Sequence, residues 1–272
     1  MNILLILTTT VISFLFTVVV VPVAKGMLYE SNCIRRNFKD EMIPVCIGLI
    51  FIPVVSINSF IVLILLKNNQ YKLPLIFLIG VLAMGVAGFI DDMLGNRNDT
   101  GLKGHFKALV KGRLTTGAFK ALFGGLISLL ISYLLSDNVL NMLINTIIIA
   151  LFTNAINLLD LRPGRAVKGF LFGTLVLSII SPISILHILL YGLASSTIAY
   201  MPYDLKSMTM LGDVGSNILG IALGIAFVTN SFSTRVIVLV LLIIFHIFTE
   251  KYSLTKIIEN NKFLKYFDQI GR

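Results

Sequence analysis

Charged residues divide the chain into long apolar runs and short polar stretches. No Asp, Glu, Lys or Arg occurs in residues 1–24, and comparable runs cover 42–66, 73–90, 121–136, 138–159, 169–203, 214–234 and 236–249. An α-helix needs roughly 20 apolar residues to cross the hydrocarbon core of a bilayer. The run 169–203 is too long for one crossing, and Ser181-Pro182 offers a turn in its middle, because proline removes a helix hydrogen-bond donor. The last run is short and needs the flank around Arg235 to span. The pattern therefore predicts an all-α, polytopic transmembrane bundle of about nine helices, forming a single integral membrane domain over residues 1–272. The first run lacks a preceding positive segment, which argues against a cleavable signal peptide.

Composition agrees with this pattern and removes the soluble alternatives. Hydrophobic residues make up 57% of the 272 positions and charged residues 13%, against about 25% charged in an ordinary globular chain. The placement of charge then gives a topology. The stretches 25–41, 91–120, 160–168, 201–213 and 250–272 hold 19 of the 22 Lys and Arg residues, leaving Lys67, Lys72 and Arg235 on the other side. By the positive-inside rule the richer side is cytoplasmic, which puts the N-terminus outside and the C-terminus in the cytoplasm. Twelve of the 13 acidic residues share that side, with only Asp137 opposite. Acidic residues contribute little to orientation, so their gathering asks for a chemical reason. In so apolar a chain the net charge of +9 fits topology and an anionic substrate, with no nucleic acid as partner. Cys33 and Cys46 are too few for a zinc tetrad and read as small buried hydrophobes.

Four segments on the basic side carry candidate chemistry. Gly88-Phe-Ile-Asp91-Asp92-Met-Leu-Gly95 ends the third helix with two adjacent carboxylates, which repel each other and meet the negative end of the helix dipole unless a cation joins them. Mg²⁺ suits them, since it is commonly held by one or two carboxylates and substrate phosphates; the alternative is a helix that simply ends in water. Asn154-Ala-Ile-Asn157-Leu-Leu-Asp160-Leu-Arg162-Pro163-Gly-Arg165 places three polar residues along one helical face. Its arginines are either phosphate forks or topological anchors. In Gly212-Asp213-Val-Gly215-Ser216-Asn217 the glycines permit close backbone approach, and Asp213 is either a helix cap or part of a site. Lys103, Lys107 and Lys111 recur every four residues among apolar side chains, a pattern for a helix lying in the headgroup region. There Lys103 and Lys107 would gather a lipid phosphate, with His105 as hydrogen-bonding or proton-transfer partner. His187 and His246, in apolar runs, read as packing residues.

Taken together, these motifs resemble the polyprenyl-phosphate N-acetylhexosamine-1-phosphate transferase superfamily, which includes the phospho-N-acetylmuramoyl-pentapeptide transferases. Arg35-Arg-Asn37-Phe-Lys-Asp-Glu-Met-Ile-Pro44 looks like the family's first cytoplasmic loop, Asp91-Asp92 like its aspartate pair, Asn157-Leu-Leu-Asp160 like its Asn-Leu-x-Asp segment and Gly212-Asp213-Val-Gly215-Ser216 like its later aspartate motif. The resemblance implies Mg²⁺-dependent transfer of a sugar 1-phosphate, an N-acetylhexosamine by family habit, from a UDP-sugar to a membrane polyprenyl phosphate. UMP leaves, and the product serves cell-envelope polysaccharide or peptidoglycan precursor synthesis. It further implies Asp91, Asp92 and Asp213 as catalytic residues and Mg²⁺ ligands. Asn157, Asp160, Lys103, His105, Lys107, Arg162 and Arg165 are implied as substrate-binding, at the cytoplasmic face of the plasma membrane; a homodimer stays open. Two departures stand out. Pro163 occupies the place of a second aspartate in the family's segment, and the stretch from Glu250 to Arg272 lacks the histidine-rich loop of the peptidoglycan enzyme. They motivate a second hypothesis, a noncatalytic descendant that binds or moves polyprenyl-linked lipids. An ion-coupled transporter is a weaker third, since coupling sites lie near the bilayer midplane rather than at helix ends.

Overall fold

A computed structural model describes residues 3–65, 71–95, 112 and 114–272. Among the described residues nine long or medium helices follow one another: α1 (Ile3–Glu30), α2 (Phe51–Leu65), α3 (Lys72–Leu94), α4 (Thr116–Leu135), α5 (Val139–Leu159), α6 (Arg165–Ile180), α7 (Ile185–Leu205), α8 (Gly212–Phe227) and α9 (Phe232–Lys251). Two short helices, α10 (Leu254–Asn260) and α11 (Lys262–Gln269), come after them. Seven helical segments among the described residues, all of the nine except α6 and α8, are long and apolar enough to cross a membrane. The protein is an all-α, multi-pass membrane protein. The one sheet among the described residues is a hairpin, β1 (Ile34–Arg36) against β2 (Met42–Pro44), paired antiparallel with Arg35 opposite Ile43.

Burial separates the helices by role. Every residue of α8 except Asp213 is buried, whereas α9 buries only Arg235 and Leu242. A helix apolar all round belongs inside a bundle, and one apolar yet uncovered belongs against lipid. Accordingly α8 is the central post, packed on α3 and α5 and touched by α6 and α7, while α1 packs on α7 and α9 lies outside on α5. At 16 residues, α8 is about 24 Å long, shorter than the apolar core of a bilayer. Its neighbours rather than lipid surround it.

Several boundaries differ from the sequence reading. The second crossing was expected to begin at residue 42, yet this part of the chain is β2, then Cys46 with φ 66°, then a 3₁₀ turn Ile47–Ile50. The backbone there bonds across instead of along a helix: Met210 donates to the carbonyl of Pro44 at 2.7 Å, and Ile47 and Gly48 donate to the carbonyls of Met210 and Leu211. The run 214–234 stops helical structure at Phe227. Asn230 Nδ2 donates to the carbonyl of Phe227, and Ser231 caps α9 by accepting from the N–H of Thr234. The last crossing is consequently a full 20-residue helix. Arg235, needed to lengthen it, is buried with its guanidinium donating to Asn145 Oδ1 at 2.8 Å and Asn141 Oδ1 at 3.0 Å. The break between Ile180 and Ile185 falls at the Ser181-Pro182 turn as expected.

The crossing of α3 and α8 sets the position of everything functional. A methyl group added at Gly88 would overlap the carbonyl of Asp213 and the Cα of Val214, so the two backbones touch there. Gly125, in α4, has nothing within 4 Å of the same added atom. Gly88→Ala is therefore expected to wedge the helices apart and destabilise the protein by about 1–3 kcal/mol. Gly125→Ala should be neutral or slightly stabilising through helix propensity. Thermal unfolding of the detergent-solubilised variants checks the contrast; equal melting of the two would disprove the contact.

Candidate active site at the head of the central helix

Four helix ends meet beside the start of α8. Asp91 comes from the last turn of α3, Lys120 from the first turns of α4, Asn157 from the last turn of α5 and Asp213 from the first turn of α8. Lys120 Nζ lies 2.7 Å from Asp91 Oδ2 and 2.9 Å from Asp213 Oδ2. With its nitrogen turned toward the carboxylate, the Asn157 amide donates to Asp213 Oδ1 at 2.7 Å and to Ser216 Oγ at 3.0 Å, while its oxygen accepts from Lys120 Nζ at 3.1 Å. The Ser216 hydroxyl also reaches the carbonyl of Gly212 at 3.1 Å. Residues from the three acidic motifs thus form one network whose centre is an ammonium group.

The electrostatics of the helix ends explain much of the arrangement. Asp213 sits at the positive end of the α8 dipole, where a carboxylate is favoured, whereas Asp91 sits at the negative end of α3, where it is not. Lys120 offsets the second placement and holds the two like charges together. The side chains of Lys120, Asp91 and Asp213 are only 16%, 14% and 28% exposed, so the attraction is poorly screened by water.

Asp92 does a different job from its neighbour. Consecutive residues of an α-helix point about 100° apart, and Asp92 turns into the protein, 5% exposed. Its Oδ2 accepts from the N–H of Val214 at 3.1 Å. Leu211, at the N-cap position, offers no side-chain cap, so a carboxylate from α3 caps α8 from outside. Gly212, with φ +75°, is required at that turn, since a side chain there would strike the Asp92 carboxylate. Arg35 Nη2 donates to the backbone carbonyl of Asp92, tying the β1–β2 hairpin to the same point. Cys46 faces Asp92 as well, and burial, then that carboxylate, push its thiol well up, so it stays a neutral, free thiol. Cys33 is free and half-buried.

The remaining sequence candidates are distributed around this centre. Asp160 stands at the C-cap of α5, its backbone N–H bonded to the carbonyl of Asn157, and its carboxyl faces the backbone of Gly212. Burial, then the carboxylates of Asp204, Asp213 and Asp92, raise its carboxyl well above the ordinary range, so it keeps its proton to higher pH than a free aspartate. Arg162 lies over the Phe38 ring of the hairpin, 5.0 Å from its centroid. Arg165 does not join the carboxylate network: its Nε and Nη2 are bonded to Asp268 at 2.7 and 3.0 Å, and Nη1 to Thr255 at 2.9 Å. Lys103, His105, Lys107 and Lys111 lie outside the described residues. Sequence reasoning missed Lys120, which it grouped with the preceding charged stretch. The available signal was its position in the first turns of an apolar helix, where an ionisable residue in a crossing marks a site by default.

Among the described residues no three His, Cys, Asp or Glu side chains gather closely enough to hold a metal. The pair Asp91 and Asp213 nevertheless fits a hard divalent cation. Two carboxylate oxygens already converge on one positive charge, and Mg²⁺ is typically bound by one or two carboxylates with substrate phosphates completing its shell.

The sequence model of glycosyl transferase family 4 matches residues 74–231, a span that contains Asp91, Lys120, Asn157 and Asp213. Two curated proteins of Prochlorococcus marinus, both named phospho-N-acetylmuramoyl-pentapeptide-transferase, are similar in sequence. The protein of strain MIT 9215 is 27% identical over 194 residues, covering 65% of this chain and 54% of that protein. The protein of strain MIT 9301 is 27% identical over 215 residues, covering 73% and 59%. The chain thus spans somewhat over half the length of these relatives.

Removing Lys120 strands two poorly solvated carboxylates. Lys120→Met is expected to lower stability by about 3 kcal/mol, and Lys120→Met/Asp91→Asn to recover part of that loss by removing the repulsion. Thermal unfolding of the wild type, both single variants and the double variant closes the cycle; strict additivity would disprove the coupling.

Proposed function

Since the chain belongs to glycosyl transferase family 4, we propose that it is a phosphoglycosyl transferase working at the cytoplasmic face of the plasma membrane. It transfers a sugar 1-phosphate, an N-acetylhexosamine derivative, from a UDP-sugar to a polyprenyl phosphate for cell-envelope synthesis. An oxygen of the lipid phosphate attacks the phosphorus that carries the sugar. The bond from that phosphorus to the bridging oxygen breaks, and UMP departs with the electron pair. The observation that carries the reading is the convergence of Asp91 and Asp213, from motifs far apart in sequence, on one positive charge at the head of α8. The relatives' names support the substrate class.

Mg²⁺, when bound, would supply charge neutralisation for the diphosphate, with Asp91 and Asp213 as its protein ligands. The chain's own groups do the rest. Lys120 stands 2.7 and 2.9 Å from those carboxylates, where its ammonium can pair with a phosphate oxygen as charge moves to the leaving group. Asn157, itself bonded to Ser216, fixes the rotamer of Asp213. Asp92 acts as a positioning residue, because it caps the helix that carries Asp213. By the family resemblance Asp160 would line the nucleotide-sugar pocket, and Lys103, Lys107 and His105 would serve the lipid phosphate. Such phosphoryl transfers depend mainly on positioning and charge stabilisation, which is what this network provides.

The test is turnover by the purified protein with polyprenyl phosphate, a panel of labelled UDP-sugars and Mg²⁺, reading lipid-linked product and UMP. Product should form with at least one sugar and stop on chelation of the metal. Asp91→Asn and Asp213→Asn should each cut the rate by about 100-fold or more, with thermal unfolding showing that they remain folded. Asp92→Asn should lose activity together with stability. Near-normal turnover by Asp213→Asn would overturn the site. Lipid binding without turnover of any panel member would favour the noncatalytic descendant.

A further inference from the structure

The polypeptide after α9 folds back onto the loop between α5 and α6. Asn261 separates α10 from α11 and caps α11 by accepting from the N–H groups of Phe263 and Leu264. One edge of α11 is fixed by charge. Asp268 takes both Arg165 bonds described above, and Arg272 adds a third to Asp268 at 3.0 Å. Lys168 Nζ donates to the carbonyls of Phe267, Asp268 and Ile270 at 2.9–3.0 Å, meeting the negative end of the α11 dipole. Arg272 also donates to the carbonyl of Pro163 at 2.9 Å from Nε. The latch therefore grips the loop that starts at Asp160, beside the carboxylate network.

The opposite face of α11 is apolar and uncovered. Phe263, Tyr266 and Phe267 are 69%, 67% and 51% exposed, and with Leu264 they share one helical side, while Lys262 and Lys265 lie on the other. We propose that this face rests in an anionic lipid surface, making α11 a membrane-surface helix whose docking holds the Asp160–Gly164 loop in place. Two observations select lipid as the occupant. The chain reaches α11 through the seven-residue α10 from α9, an uncovered helix long and apolar enough to cross a membrane that ends at Lys251, only two residues before α10 begins, with the exposed aromatics Phe248 and Tyr252 at the join. Lys262 and Lys265 on the polar side of α11, with Lys256 in α10, then supply positive charge to accompany the aromatic face, the combination that binds anionic headgroups from an interfacial helix.

The chain contains no tryptophan, which makes the idea directly measurable. Phe263→Trp places a sole tryptophan, excited selectively over the tyrosines, on the apolar face and Lys265→Trp one on the polar face; Tyr266→Trp serves as a second apolar reporter if Phe263→Trp folds poorly. The full chain is placed in nanodiscs whose acyl chains carry bromine, with or without an anionic lipid. Emission at position 263 should be quenched about twofold or more by brominated lipid, shielded from acrylamide, and less quenched when the anionic lipid is removed. Position 265 should stay open to acrylamide. Equal acrylamide quenching at 263 and 265 would overturn the proposal, as would indifference to brominated lipid or to lipid charge. Shielding from acrylamide at 263 without quenching by brominated lipid would assign the face to a second protein instead. The readout needs no turnover, so its failure leaves the transferase reading standing.

Discussion

The backbone contact between α3 and α8 is the constraint on which the rest of the arrangement depends. Gly88 leaves no side chain at the crossing, so the last turn of one helix lies directly against the first turn of another. That contact brings the unfavourable end of α3, with its two carboxylates, to the favourable end of α8. A wider crossing would remove the Asp92 oxygen from the N–H of Val214 and part Asp91 from Asp213. Packing between small residues is the ordinary means by which membrane helices associate, because lipid gives apolar surfaces little reason to prefer each other. Here the same packing also assembles the polar site.

The site is expensive in charge, and the structure distributes that cost over several elements. Of the acidic side chains near the head of α8, three have a distinct compensation: Lys120 for Asp91, Lys120 with Asn157 for Asp213, and the backbone N–H of Val214 for Asp92. Removing a single partner leaves an uncompensated charge in a poorly solvated place, which is why such networks fail abruptly rather than gradually. The same principle operates one loop away, where Arg165 and Arg272 share Asp268. There burial would raise the carboxyl, but the hydrogen bonds and charge of Arg165 hold it below the ordinary range. Both clusters fix the ends of helices, and the loop from Asp160 to Gly164 connects them.

Much of the fold was legible because bilayer-crossing helices need little more than length and the absence of charge. The break at Ser181-Pro182 and the need for the Arg235 flank could be read directly. The errors fell where polar backbone bonding competes with apolar composition. Residues 42–50 look like the start of a helix, but their N–H and C=O groups bond to Met210 and Leu211, a partner segment far away in sequence. Asn230 and Ser231 ended a helix inside an uninterrupted apolar run. Of the side chains that meet at the head of α8, Asp91, Asn157 and Asp213 stand in motifs the sequence pattern singles out, while Lys120 was hidden among other basic residues; Arg165, assigned to substrate by the resemblance, is bonded to Asp268 and Thr255 of the tail.

The sequence by itself determined that the chain is an all-α protein apolar enough to cross a membrane many times, and that the acidic motifs gather where long apolar runs end, because these properties follow from hydropathy and charge order along the chain. The tertiary structure alone decided what each charge does. Two adjacent aspartates diverge by the pitch of a helix, so that one meets Lys120 and the other caps α8, and the partner of each lies on a different helix. Periodicity fixes the direction in which a side chain leaves its own helix; it carries no information on which other helix will stand there.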